Sequence, residues 1–175
     1  LREPKKLSKE LEAMIRVDQA GEFGATRIYA GQLAVLKNSS IAPTLHHMAD
    51  QEQVHLKTFN DLCVTYGVQP TLLQPLWHVG GFMMGAVTAL INEKAAHACT
   101  IAVEEVIAEH YQNQLDRLGH TEPELRAVIA KFREEELEHK EHAEQEGGRE
   151  APAYQAITSV VKKITKTAIW LSERI

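Results

Sequence analysis

Cysteine is nearly missing from this chain: its 175 residues include only Cys63 and Cys99. Neither has a CxxC partner, which argues against a disulfide framework, a thiolate zinc site or a dithiol redox motif. Both fall in helical segments and read as buried, inert thiols. Period-two alternation is also lacking, so no strand is expected. Basic charge is in short supply, with 19 Lys and Arg against 24 Asp and Glu and a net charge of −5. Nucleic acid is therefore excluded as the main partner, because phosphate binding needs concentrated Lys and Arg. Much of the acidity lies in one stretch, Glu134 to Glu146. The numbered chain starts at Leu1 without an initiating methionine, so a targeting peptide already removed stays open and this end fixes no compartment. The length suits one domain, spanning 1–175, with a real core.

Helical signals fill the chain. Ser8 is a good N-cap for a first helix that stops at Asn38-Ser39-Ser40. Pro43 opens a second, which Gly67 closes. A third long helix runs from about Asn92 to Leu118, with Gly119 as its stop. Thr121 and Glu124 have the spacing of a capping box around Pro123, opening a helix that lasts to Gly147-Gly148. A last helix follows Pro152 and reaches the C-terminus.

Between Asp61 and Glu93 there is no charged Asp, Glu, Lys or Arg. Residues 71–91 are numerous enough to span a bilayer. Gln74 and Pro75 interrupt them, however, and Gly80, Gly81 and Gly85 weaken them as a continuous helix. The segment is expected to lie in the membrane interface or to line an apolar pocket mouth. Residues 153–175 place Ile157, Val160, Ile164, Ala168, Leu171 and Ile175 at helical spacing, with Lys162, Lys163, Lys166 and Trp170 beside them. That combination suits an anionic lipid surface. Two core-packing helices of a soluble domain are the alternative.

The two halves repeat each other. Aligning Glu22 with Glu104 superposes Tyr29 on Tyr111, Gln32 on Gln114, Leu33 on Leu115 and Leu36 on Leu118. Each of these helices is followed by one with Glu-x-x-His: Glu52 with His55, and Glu136 with His139. Residues three apart share a helix face, so each Glu and His can converge on one point. With 20 Glu and 9 His, about one such motif is expected by chance. Placement raises its weight. The second helix reads Leu45, Met48, Glu52, His55, Phe59, Leu62, Tyr66, an apolar seam broken only by the Glu and His. The third gives Ile101, Glu104, Ala108, Tyr111, Leu115 and Leu118, and its partner Leu125, Phe132, Glu136, His139 and Ala143. On the first lie Ile15, Glu22, Tyr29, Leu33 and Leu36, with Gln19 and Thr26 as polar members.

The same seams set Glu105 aside and leave Glu134, Glu135, Glu138 and Glu141 mostly on the wet side. Buried carboxylates cost several kcal/mol or become protonated unless a cation meets them. Two divalent metals balance four carboxylates. Glu22, Glu52, His55, Glu104, Glu136 and His139 are therefore expected as metal ligands. The expected fold is all-α, a ferritin-like four-helix bundle of the di-iron or di-manganese type with two additional membrane-interface helices. Oxygen-rich ligation with one imidazole per metal suits iron or manganese better than zinc. Iron storage or peroxide detoxification on the same bundle, or a membrane-attached bundle that only binds lipid or a partner, remain alternatives at this point.

The run Arg16-Val17-Asp18-Gln19-Ala20-Gly21-Glu22-Phe23-Gly24-Ala25, continuing to Arg27-Ile28-Tyr29-Ala30-Gly31-Gln32, resembles the demethoxyubiquinone hydroxylase family. So do Asp50-Gln51-Glu52 with His55, Ala102-Val103-Glu104-Glu105, His110-Tyr111, Glu135-Glu136-Leu137-Glu138-His139 and Leu171-Ser172-Glu173-Arg174. The likeness runs from about Ile15 to the C-terminus and fills all six ligand positions of that family. It implies two iron ions and hydroxylation, with O2, of the ring of a polyprenylated 6-methoxy-3-methyl-benzoquinol in ubiquinone biosynthesis. NADH is the implied electron donor, acting through the quinone. His110 and Tyr111 match positions tied to electron delivery and substrate, while their residues alone fit a surface histidine and a core tyrosine. The resemblance further implies a peripheral place on a quinone-containing inner membrane, on a bacterial cytoplasmic or mitochondrial matrix face, and a lipid-binding partner protein in mitochondrial members. The segment from Gly119 to Glu124 looks shorter than in those members, which points to a bacterial origin.

Overall fold

Local signals at the helix ends decide most of the architecture. In the computed structural model, which describes residues 7–175, the Ser8 hydroxyl accepts the Leu11 N–H at 3.1 Å and opens α1 (Lys9–Leu36). α2 (Ala42–Tyr66) carries Pro43 in its first turn and ends at Gly67, whose φ of 70° lets Gly67 and Val68 return their N–H groups to Val64 and Cys63. α3 covers Gln74–Ile91. Asn92 Oδ1 then accepts from Ala95 N at 2.8 Å and starts α4 (Glu93–Leu118). α5 (Pro123–Gln145), a single 3₁₀ turn (Gly148–Glu150) and α6 (Tyr154–Ser172) complete the chain. No strand occurs among the described residues, and the fold is all-α.

Three features depart from the sequence expectations. The capping box before α5 does not form. Glu122 is the N-cap, at φ 45° and without a side-chain cap bond, while Thr121 Oγ1 donates to Leu118 O at 2.7 Å. Pro123 disfavours the right-handed helical region at the residue before it, so the chain enters α5 through a left-handed Glu122 and Thr121 turns back onto α4. α5 itself stops at Gln145 and α6 at Ser172, short of Gly147 and of the C-terminus. The glycines of α3 do not break it. A Cβ on Gly85 would run into the carbonyl oxygen of Ile28, and one on Gly31 into that of Phe82. Here glycine lets α1 and α3 meet backbone to backbone.

The described residues form two compact units, one running to Ala86 and including Thr167–Ile175, the other Val87–Lys166. In the first, α1 packs on α2 around Tyr29, Ile41, Leu45 and Met48, with the Tyr29 hydroxyl donating to Met48 Sδ at 3.6 Å. In the second, α4 packs on α5, with Ile101, Leu115, Leu125, Ile129 and Phe132 buried, and the 3₁₀ turn closes against both helices. Full burial of one such side chain stabilises by about 1.5–3 kcal/mol. No helix among the described residues is long and apolar enough to cross a membrane. Along α3, Leu76, Val79, Met83, Val87 and Leu90 are exposed large hydrophobics at helical spacing, and Val160, Ile164 and Trp170 are exposed on α6.

Candidate metal centre

Within the first unit, α1 supplies Glu22 and α2 supplies Glu52 and His55. The latter two lie three apart on the buried face between Met48 and Phe59. His55 Nδ1 lies 3.4 Å from Glu22 Oε2 and 3.9 Å from Glu52 Oε2, and one ligand atom from each of the three falls within 4.8 Å of the others. None of the three residues is more than 2% exposed.

The second unit repeats this layout. Glu104 comes from α4, Glu136 and His139 from α5, and again one atom of each lies within 4.8 Å of the others. His139 Nδ1 is 3.5 Å from Glu136 Oε2, and the three residues are 1–3% exposed. Each triad is thus two carboxylates and one imidazole packed away from water. Carboxylate oxygens gathered in a dry interior are costly unless they take up protons or a cation meets them, and each triad could hold a metal ion. The donor set fits a metal of the iron or manganese kind, which takes oxygen and imidazole ligands together.

The neighbouring acids behave as the seams predicted. Glu105 is partly exposed and its carboxyl is held below the usual carboxylate range, chiefly by the Lys162 hydrogen bond. Glu134, Glu138 and Glu141 are exposed and Glu135 is only partly buried. Both cysteines are free and buried. Burial pushes the Cys63 thiol up to about 11, helped by the charge of Asp18, and the Cys99 thiol up to about 12. Tyr111 is buried on α4 seven residues beyond Glu104, while His110 is partly buried, with Nε2 at 2.9 Å from Gln114 Nε2. The two rings are 6.4 Å apart between centroids.

Some features of these units had little sequence signal, Gln19 standing out only as a polar member of the first helix's seam. Gln19, one turn before Glu22, donates to Asn60 Oδ1 at 3.0 Å and accepts from Gln74 Nε2 at 3.0 Å, tying α1 to α2 and to the start of α3. Trp77 Nε1 donates to Ser172 Oγ at 3.0 Å. His97, buried on α4, sits beneath Gly148, where an added Cβ would lie 3.0 Å from the His97 Cβ. Burial pushes His97 below the ordinary histidine range. Only the Gly147-Gly148 pair hinted at a crowded site there.

Comparison with known proteins places these triads in context. Residues 9–172 match the family described as ubiquinone biosynthesis protein COQ7. The chain is 53% identical over 166 residues to the 3-demethoxyubiquinol 3-hydroxylase of Rhodospirillum rubrum, covering 94% of this chain and 78% of that protein. It is 50% identical over 169 residues to the human mitochondrial NADPH-dependent 3-demethoxyubiquinone 3-hydroxylase, with 94% and 78% covered. With the mitochondrial 5-demethoxyubiquinone hydroxylase of Saccharomyces cerevisiae it shares 46% identity over 182 residues, again covering 94% and 78%.

Proposed function

Since the chain belongs to the ubiquinone biosynthesis protein COQ7 family, we propose that it is a di-iron monooxygenase that hydroxylates the ring of a polyprenylated demethoxyubiquinol with O2. The observation that carries this is the repeated buried triad, Glu22, Glu52 and His55 in one unit and Glu104, Glu136 and His139 in the other. In this proposal the two triads complete one ferritin-like domain around a pair of iron ions, four carboxylates against four positive charges. The iron pair, when bound, supplies the activation of O2. Family membership favours hydroxylation over iron storage, the other use of such a bundle.

What the protein's own residues contribute is holding, orientation and exclusion of water. Glu52 with His55, and Glu136 with His139, are locked three apart on buried helix faces, so the ligand atoms are preorganised before any metal arrives. Phe59, Met48 and Phe132, buried on the same faces, keep the carboxylates dry. Tyr111 and His110 lie on the Glu104 helix and are proposed to serve substrate and electron delivery. A reduced nicotinamide is the proposed electron source. The sequence resemblance suggests NADH, and several relatives are named as NADPH-dependent, so both donors belong in the assay.

A polyprenyl quinone resides in a bilayer, and the exposed apolar rows of α3 and α6 suit a protein that lies on a quinone-containing membrane. Met83→Glu or Ile164→Glu, each on an exposed apolar row, should then weaken liposome binding while leaving iron content intact. A lipid-binding partner protein would use the same membrane setting.

The deciding experiment is incubation of iron-loaded protein with a short-chain demethoxyquinol analogue, O2 and either NADH or NADPH. Two irons per chain and a hydroxylated product are expected, with Glu104→Ala losing both. Absence of product from protein that holds two irons would refute the hydroxylase reading. Absence of iron after reconstitution would refute the metal site itself.

A further inference from the structure

The two units attach an outer helix to the helix bearing the candidate ligand at the same two positions, one and five residues beyond the ligand glutamate. In the first unit these are Phe23, whose ring lies 6.1 Å from that of His78, and Arg27, whose guanidinium lies 5.5 Å from the centroid of Phe82. His78 and Phe82 belong to α3, which the glycines also press backbone to backbone against α1. In the second unit the equivalent positions are Glu105 and Glu109. Lys162 Nζ donates to Glu105 Oε1 at 2.8 Å and Lys166 Nζ to Glu109 Oε2 at 3.1 Å, both lysines belonging to α6. The positions correspond and the chemistry differs. A ring contact, a cation–π contact and glycine packing hold α3, whereas two solvent-accessible ion pairs flank the buried Val161 on this part of α6.

We propose that Lys162 and Lys166 form an exchangeable anchor for acidic phospholipid headgroups: Glu105 and Glu109 hold them in the free protein and headgroup phosphates take them at a bilayer. This goes beyond the membrane association given above and rests on it. Charge complementarity and the neighbouring apolar face identify the occupant. Val160 and Ile164, exposed on the same helix beside the lysines, offer the side chains that enter a lipid interface, which a soluble phosphate would not need. An exposed ion pair and a lysine at an acidic lipid surface are of similar strength, so a surface dense in phosphates wins the competition and dilute anions do not. The acids are not stranded by the exchange. Glu105 Oε2 keeps Lys140 Nζ at 3.9 Å, and the Glu109 side chain is 60% exposed to water.

The test is sedimentation of the full, iron-loaded chain with vesicles of phosphatidylcholine alone or with phosphatidylglycerol added. Glu105→Gln with Glu109→Gln frees both lysines. It should tighten binding to the acidic vesicles by about tenfold and leave binding to neutral vesicles unchanged. Glu138→Gln with Glu141→Gln makes the same change in net charge at exposed acids of α5 and should shift acidic-vesicle binding far less. Lys162→Gln with Lys166→Gln should abolish the preference for acidic vesicles and retain neutral binding through the apolar face. If the Glu105/Glu109 variant binds acidic vesicles no more tightly than the Glu138/Glu141 variant, the exchange is overturned while membrane association stands. If the parent binds neither vesicle type, membrane association fails and the exchange with it.

Discussion

Replacing Gly85 by alanine should loosen α3 from α1, and replacing Gly80 should not. A Cβ at position 85 would meet the backbone oxygen of Ile28 and then Gln32 N at 3.1 Å, while nothing lies within 4 Å of one at position 80. Backbone atoms of a helix cannot rotate aside as a side-chain tip can, so the helices must separate. Overpacking of this kind costs about 1–3 kcal/mol. Gly80→Ala, in an exposed helix interior, gains about 0.5–1 kcal/mol because glycine loses more conformational freedom on folding. In a chain of this length each kcal/mol moves Tm by roughly 2–4 °C. Gly85→Ala should therefore fall by about 2–12 °C while Gly80→Ala rises by about 1–4 °C. Thermal unfolding followed by circular dichroism at 222 nm separates the two. Equal midpoints, or a Gly85→Ala midpoint above that of Gly80→Ala, would refute the close contact of α1 and α3.

Two further outcomes follow from local chemistry. Asn92→Ala should cost about 1 kcal/mol, because Oδ1 caps α4 through Ala95 N. Thr121→Ala should cost less, since its hydroxyl donates to Leu118 O and caps no α5 donor; urea unfolding that ranks them the other way would restore the capping box. His97 gives a pH dependence. Burial lowers its folded pKa below the unfolded value of 6.5, so as pH falls from 6.5 towards the folded pKa the unfolded chain takes up a proton that the folded one refuses. Stability from this group is full above 6.5 and lost on acidification through that window. Glu93, Glu146 and His142 also bear on the ring electrostatically. His97→Gln should flatten the loss of stability between pH 7.5 and 5.5, and an unchanged slope would remove His97 as its source.

Whether a feature was legible depended on how far along the chain its cause lay. Glu52 and His55, or Glu136 and His139, needed only the helical repeat to share a face, and both pairs lie there at 0–3% exposure. Caps at Ser8 and Gly67 are equally local and appear where composition put them, and Asn92 caps the helix expected to start about there. The capping box at Thr121 failed because one residue, Pro123, changed the backbone before it. Gly81 and Gly85 looked like weaknesses because the partner that explains them, α1, is some fifty residues away and leaves no mark on the local pattern. The ion pairs of Lys162 and Lys166 left no local mark for the same reason, since Glu105 and Glu109 lie 57 residues earlier. The duplication shows what was lost. Tyr29 and Tyr111, and Gln32 and Gln114, kept both identity and burial, so the repeat was visible through them. Phe23 and Arg27 against Glu105 and Glu109 kept only position. An alignment by residue type passes over such sites, although they are where each unit fastens its outer helix. A buried seam admits few residue types at each place, whereas any attraction serves to fasten a helix from outside, and so the two units can differ there without loss of the fold.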